Sequence, residues 1–157
     1  MDYGTLKTLH VLSSTLLFGT GLGSAFYLWR AARHGDAAQF AFVARQVVLA
    51  DWLFTATAVV FQPLSGWLLA RTAGHPLDAG WLQASYGLYL LAGACWLPVV
   101  WLQYRLRDLA RDAARLQQPL PARWHHCLCL WFVLGWPAFG VGALIFWLMV
   151  NRPGFGA

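Results

Sequence analysis

The sequence predicts an all-α integral membrane protein, an up-and-down bundle of four transmembrane helices forming one domain over residues 1–157. Three observations carry that reading. Hydrophobic types make up 59% of the chain, more apolar surface than a soluble domain of this size can bury. Charged residues are only 11%, against about 25% in soluble domains. Four apolar runs each reach the length of about 20 residues that a helix needs to cross a bilayer.

The first run extends from Thr5 to Trp29 and the second from Val47 to Ala70. The third extends from Trp81 to Gln103 and the fourth from Cys127 to Val150. The first lacks a preceding basic stretch and a small-residue cleavage site, so it reads as a helix rather than a cleaved leader. Pro63, Pro98 and Pro137 fall inside three of the runs. Each removes one backbone donor, which a membrane helix tolerates when neighbours satisfy the freed carbonyl. After the third run, Leu102, Leu106, Leu109, Ala113 and Leu116 mark one apolar face. They predict that the helix continues as an amphipathic connector near the headgroups, until Gln117–Pro121 breaks it. Asn151–Ala157 reads as a short polar tail.

Basic residues divide unevenly. Eight arginines (Arg30, Arg33, Arg45, Arg105, Arg107, Arg111, Arg115 and Arg123) lie in the two loops that follow the first and third runs. Only Lys7, Arg71 and Arg152 lie on the other side. The positive-inside rule then places both termini in the periplasm and the Arg-rich loops in the cytoplasm. The net charge of +5 is this topological signal, and no basic stripe on a soluble fold points to nucleic acid. Trp29, Trp81, Trp124 and Trp147 read as interfacial anchors.

Polar groups inside a membrane are costly and face the bundle interior, so they indicate helix rotation. Asp51, Thr55, Ala58, Gln62 and Ser65 form one stripe of the second helix. His10, Ser14, Leu17 and Gly21 share a face of the first, and Tyr86, Tyr89, Gly93, Trp96, Val100 and Gln103 a face of the third. The inward face of the fourth is read as Cys129, Val133, Trp136, Gly140, Ala143 and Trp147. Depth along the helices predicts an outer-half cluster of His10, Gln62, Tyr86 and Tyr89. Gln62 has a competing assignment as the group that satisfies the Val59 carbonyl freed by Pro63. Near the cytoplasmic end Asp51 is expected to meet Gln103, with Arg105 or Arg107 as its ion-pair partner. Thr15, Gly19 and Gly23 form a small-residue ridge on the opposite face of the first helix, suited to helix packing or a homodimer seam.

Histidine and cysteine crowd together at His125, His126, Cys127 and Cys129. On a helix Cys127 and Cys129 point about 200° apart, and two ligands fall short of the four of a closed metal site. No metal site is predicted. Cys95, Cys127 and Cys129 lie in or beside apolar runs and form no disulfide framework. No Ser/His/Asp set, phosphate loop or carboxylate pair supports hydrolysis.

Six stretches across all four runs resemble the bacterial predicted integral membrane proteins of domain of unknown function 2269: Leu6–Val11, Phe18–Gly23, Ala50–Phe54, Gln62–Gly66, Ala94–Gln103 and Leu130–Phe139. That resemblance implies the membrane fold and carries no activity. Leu9–His10, with small residues one to two turns on, is more distantly similar to four-helix membrane proteins of haem biology and copper export, including the membrane protoporphyrinogen oxidase. It implies His10 as an axial haem ligand, with Gln62, Tyr86, Tyr89, Trp96 and Trp136 completing a haem or small-ligand cluster; the oxidase's later-helix lysine has no counterpart here. Three functions remain open at this point. They are a non-enzymatic component assembling with itself or another membrane protein, a haem b redox protein, and a small oligomeric permeation or carrier protein.

Overall fold

A computed structural model describes residues 2–153; positions 154–157 of the expected tail lie outside the described residues. Four helices run up and down: α1 (Tyr3–His34), α2 (Ala37–Thr72), α3 (Gly80–Arg115) and α4 (Ala122–Asn151). Each is long and apolar enough to cross a membrane. At about 1.5 Å per residue, α2 and α3, with 36 residues each, exceed the roughly 30 Å hydrocarbon core. The excess gathers at the Arg-rich end.

Local chemistry fixes the ends. The Asp2 carboxylate caps α1, accepting from the Thr5 N–H at 2.9 Å and the Thr5 hydroxyl at 2.6 Å. Those two bonds hold its carboxyl below the usual carboxylate range. Gly35 stops α1 in the left-handed region at φ 72°, where a side chain would be strained. Asp36 starts α2 at once by accepting from the Gln39 N–H at 2.7 Å. This stop–start dipeptide makes the tightest connection in the bundle. Within α2 a single π-helical turn spans Asp51–Thr55, a feature often found at functional positions. It keeps Asp51 and Thr55 inward together.

The core lies toward the Arg-rich end. Leu28 and Ala31 of α1, Phe40, Ala44 and Val47 of α2, Leu102, Leu106 and Ala110 of α3, and Trp124 and Trp131 of α4 form one buried cluster. Phe40 and Trp124 meet edge to face at 4.7 Å. The end of α3 is therefore not a connector lying on headgroups. It is the packed arm of a small sub-bundle, to which α2 contributes ten helical residues ahead of the expected start at Val47. Trp124 is buried here rather than serving as an interfacial anchor. Arg33, Arg71 and Arg105 lie over Trp29, Trp67 and Trp101, at 5.4, 4.9 and 5.2 Å. Each tryptophan precedes its arginine by one helical turn, a cation–π pairing suited to an interface.

The expected face of α4 is wrong. Cys129, Val133, Trp136, Gly140, Ala143 and Trp147 are all exposed. Trp124, Trp131 and Leu148 are the buried positions. This helix is apolar on every side, so its sequence carries no periodic mark of the inward face.

Phe40→Ala is expected to lower stability by about 3–5 kcal/mol, the range for an aromatic deleted from a packed core. Thermal unfolding in detergent micelles measures it. A loss below about 1 kcal/mol would show that the Arg-rich end is loosely packed.

Candidate ligand cavities

The four helices do not stay together along their length. The first part of α2 packs on α3, whereas Ala56–Thr72 packs on α1 and makes little close approach to α3. α1 and α4 touch only sparsely. The α1/α2 pair and the α3/α4 pair therefore part toward the end that carries the termini. Two stacked cavities fill the space between them.

The outer cavity, nearer the termini, has a volume of about 550 Å³. His10, Gln62, Tyr86 and Tyr89 line it, together with Lys7, His75 and Arg152. The inner cavity has a volume of about 310 Å³ and is lined by Asp51, Thr55, Tyr89, Trp96, Gln103, Trp131 and Trp136, among others. Leu17, Phe18, Tyr89, Gly142 and Ile145 belong to both and form the constriction between them. Phe18 closes this waist, lying tilted against Phe139 at 4.0 Å and edge to face with Phe146 at 5.4 Å. Its ring lies against Gly142 of α4, where a Cβ would stand 3.5 Å away in ordinary contact.

The His10 region is a chain of defined donors and acceptors. Gln62 Nε2 donates to the His10 carbonyl at 2.8 Å, which ties α2 to α1. Ser65 Oγ stands 2.7 Å from His10 Nδ1 and 2.7 Å from the Phe61 carbonyl. A hydroxyl has one proton to donate. Given to the Phe61 carbonyl, which can only accept, that proton leaves the Ser65 oxygen to accept from His10 Nδ1; given to Nδ1, it makes His10 the acceptor. His10 Nε2 has no hydrogen-bond partner among the described residues. Ser65 was on the predicted stripe, three residues beyond Gln62, yet its role needed the structure.

The two tyrosines span the gap between α2 and α3. Pro63 lacks an N–H and so deprives the Val59 carbonyl of its helical donor. The Tyr89 hydroxyl supplies one from α3 at 2.5 Å. Tyr86 donates to the Pro63 carbonyl at 3.3 Å. Gln62 therefore does not satisfy Val59, as sequence alone allowed; a residue 30 positions away does.

The predicted six-residue cluster is thus divided. His10, Gln62 and Tyr86 line the outer cavity, Trp96 and Trp136 the inner, and Tyr89 both. Trp136 is 73% exposed and contributes only a rim. Asp51 lies 14 residues into α2, about 21 Å from its start, rather than near its end. The Thr55 hydroxyl donates to Asp51 Oδ1 at 2.9 Å, and Gln103 faces the same carboxyl. The expected arginine partner does not appear. Arg107 pairs with its neighbour Asp108 at 2.8 Å, and Arg105 lies over Trp101. Position 105 is about 200° around the helix from Gln103 and so points away from Asp51, while Arg107, on the Gln103 face, is held by Asp108. Thr15 and Gly19 of the small-residue ridge are exposed and Gly23 is half-buried. Neither glycine has an atom within 4 Å of where a Cβ would stand. Three or more His, Cys, Asp or Glu side chains do not converge as a metal site anywhere among the described residues.

Tyr89→Phe is expected to destabilise the fold by about 1–3 kcal/mol, the cost of an unsatisfied buried acceptor. In a Pro63→Ala background the restored N–H serves Val59, so the same change should cost much less. A double-mutant cycle on thermal stability in micelles measures this coupling. Equal costs in both backgrounds would contradict the proline–tyrosine link.

Comparison with known proteins agrees with the architecture. A search of the curated proteins and of the solved structures finds no match. The family described as predicted integral membrane protein (DUF2269) matches residues 4–153, which takes in all four helices and both cavities. The chain belongs to that family of integral membrane proteins.

Proposed function

We propose that the protein is a non-enzymatic accessory component of the bacterial inner membrane that holds an anionic amphiphile in its outer cavity. One observation carries this reading: an apolar cavity of about 550 Å³ has basic side chains at one end and the His10 ring, fixed at Nδ1 by Ser65, on its wall. Lys7 and Arg152, both exposed, line the same cavity toward the termini. They match an anionic headgroup, while the remaining walls match an apolar body. The volume falls within the range of small-molecule sites. The excess of arginine on the two opposite loops supports periplasmic termini and cytoplasmic loops.

Haem b is the member of this ligand class that the histidine favours. A metal-bound histidine characteristically donates its other ring N–H to a second residue, and Ser65 Oγ stands 2.7 Å from His10 Nδ1, placed to accept it. His10 would be the axial ligand, and Lys7 and Arg152 would face the propionates. Bound there, the group supplies one-electron redox chemistry. The only other histidine on the cavity wall, His75, accepts from Arg152 through Nε2 at 3.1 Å and has no free lone pair. A single protein ligand is the natural expectation.

Self-assembly is a second reading, favoured by the Thr15/Gly19/Gly23 ridge, of which Thr15 and Gly19 are exposed. It does not compete with ligand binding, because the ridge and the cavity use opposite faces of α1.

Haem b titrated into the purified protein in mild detergent is expected to give a Soret band that is lost in His10→Ala and shifted in Ser65→Ala. A spin-labelled fatty acid tests the wider class, with weaker immobilisation expected after charge removal at Lys7 and Arg152. Neither probe binding the wild-type chain would contradict the proposed function. A fatty acid held without haem would retain the amphiphile and remove the haem assignment.

A further inference from the structure

We propose that the inner cavity is a separate binding site for an organic ammonium with an aromatic or aliphatic body. The proposal does not depend on what occupies the outer cavity. It begins from two oxygen atoms. Asp51 Oδ2 and Gln103 Oε1 are both fully buried and without a hydrogen-bond partner. Their residues are only 7% and 4% exposed, and both line the inner cavity. A buried polar atom without a partner is costly, and a buried carboxylate without a counter-charge more so. A cationic group carrying N–H donors would satisfy both and balance the carboxyl, in place of the contact that the Gln103 side chain makes with Asp51.

The remaining walls agree. Trp96, Trp131 and Trp136 come from two helices, and Tyr89 and Phe132 add further rings. Aromatic faces attract cations, more strongly where water is excluded. Lysine and arginine are absent from this lining, and Asp51 and Tyr89 are its only titratable groups. The carboxyl therefore has no cation of its own chain to meet. Trp131 Nε1 is likewise buried without an acceptor. The volume of about 310 Å³ suits a small molecule rather than a lipid. The π-helical turn over Asp51–Thr55 serves the site directly. Thr55 donates to Oδ1 at 2.9 Å, which holds the carboxyl and leaves Oδ2 for the ligand.

Proton balance allows two routes to one complex. An ammonium ion binds the ionised carboxyl directly. Alternatively a neutral amine takes the proton of a neutral Asp51, so that –COOH and R–NH₂ become –COO⁻ and R–NH₃⁺ with nothing gained or lost. A proton bridging Asp51 Oδ2 and Gln103 Oε1 is the competitor that the amine displaces.

The test uses the full chain in lipid nanodiscs, with tryptophan fluorescence as the readout. Phenylbutylamine is the probe, phenylbutanol its neutral counterpart, and sodium chloride the inorganic cation. The amine is expected to quench fluorescence saturably and to bind at least about tenfold more tightly than the alcohol, as hydrogen bonds to charged groups imply. Asp51→Asn should remove that preference and Asp51→Glu should restore part of it. Gln103→Leu should weaken the amine alone. His10→Ala should leave amine binding unchanged, which separates this site from the outer one. Retained circular dichroism shows that each variant is folded; Thr55→Val serves as a second probe of the carboxyl if Asp51→Asn is not. Equal binding of amine and alcohol, or an amine preference that survives Asp51→Asn, overturns the proposal. An Asp51-dependent response to sodium with none to the amine overturns it in favour of an inorganic cation.

Discussion

A proline inside a membrane helix creates a carbonyl that must find a donor elsewhere, and much of this bundle follows from that requirement. Lipid offers no hydrogen bond. The Val59 carbonyl freed by Pro63 is met by Tyr89 of α3, and Tyr86 reaches the Pro63 carbonyl beside it. A tyrosine is long. Using its hydroxyl as the bridge holds two helices in register while keeping them apart. Were the freed carbonyl met by a short side chain, α2 and α3 would approach closely and the space between them would be lost.

The result is a bundle with two regimes. At the Arg-rich end, large apolar side chains from all four helices interdigitate around Phe40, Leu106 and Trp124. Toward the termini, polar contacts at a few points replace continuous packing: Gln62 to the His10 backbone, Ser65 to the His10 ring, and the tyrosines to α2. Each of these contacts satisfies a group that would otherwise be stranded in an apolar medium. Together they leave cavities whose walls carry a free imidazole nitrogen in one chamber and two unpaired oxygens in the other. Phe18 against Gly142 stands between the chambers. Their electrostatic characters are opposite, with basic residues beside the outer cavity and an unbalanced carboxyl in the inner one.

The fold was largely legible in the sequence because membrane physics is simple at that level. Length and hydropathy gave four spans. The polar stripe from Asp51 to Ser65 gave the rotation of α2, since a polar group in an apolar helix marks the inside. The same logic brought His10, Gln62, Tyr86 and Tyr89 to one chamber. It failed where the chain offers no contrast. α4 is apolar all round, so Trp136 was placed inward when it is a rim residue, and Trp131 was missed. It failed also for pairing. Asp51 was assigned an arginine because a buried charge is ordinarily paired; Arg105 and Arg107 instead meet Trp101 and Asp108. Lys7 and Arg152 beside the outer cavity, and Ser65 as the partner of the His10 ring, depend on distances that spacing along one helix does not encode.

The account rests on the terminal half of the bundle being open inside while the Arg-rich half is closed. Cysteine accessibility tests this most directly. In a chain cleared of its native cysteines, single substitutions are placed at Ser14, half-buried on the outer cavity wall, at Leu106 in the packed core, and at Leu90, which is exposed on the outside of the bundle. A small water-soluble methanethiosulfonate applied from the side of the termini is predicted to modify position 14 and to leave 90 and 106 untouched. Silence at position 14 equal to that at 106 would contradict the open interior on which both cavities depend.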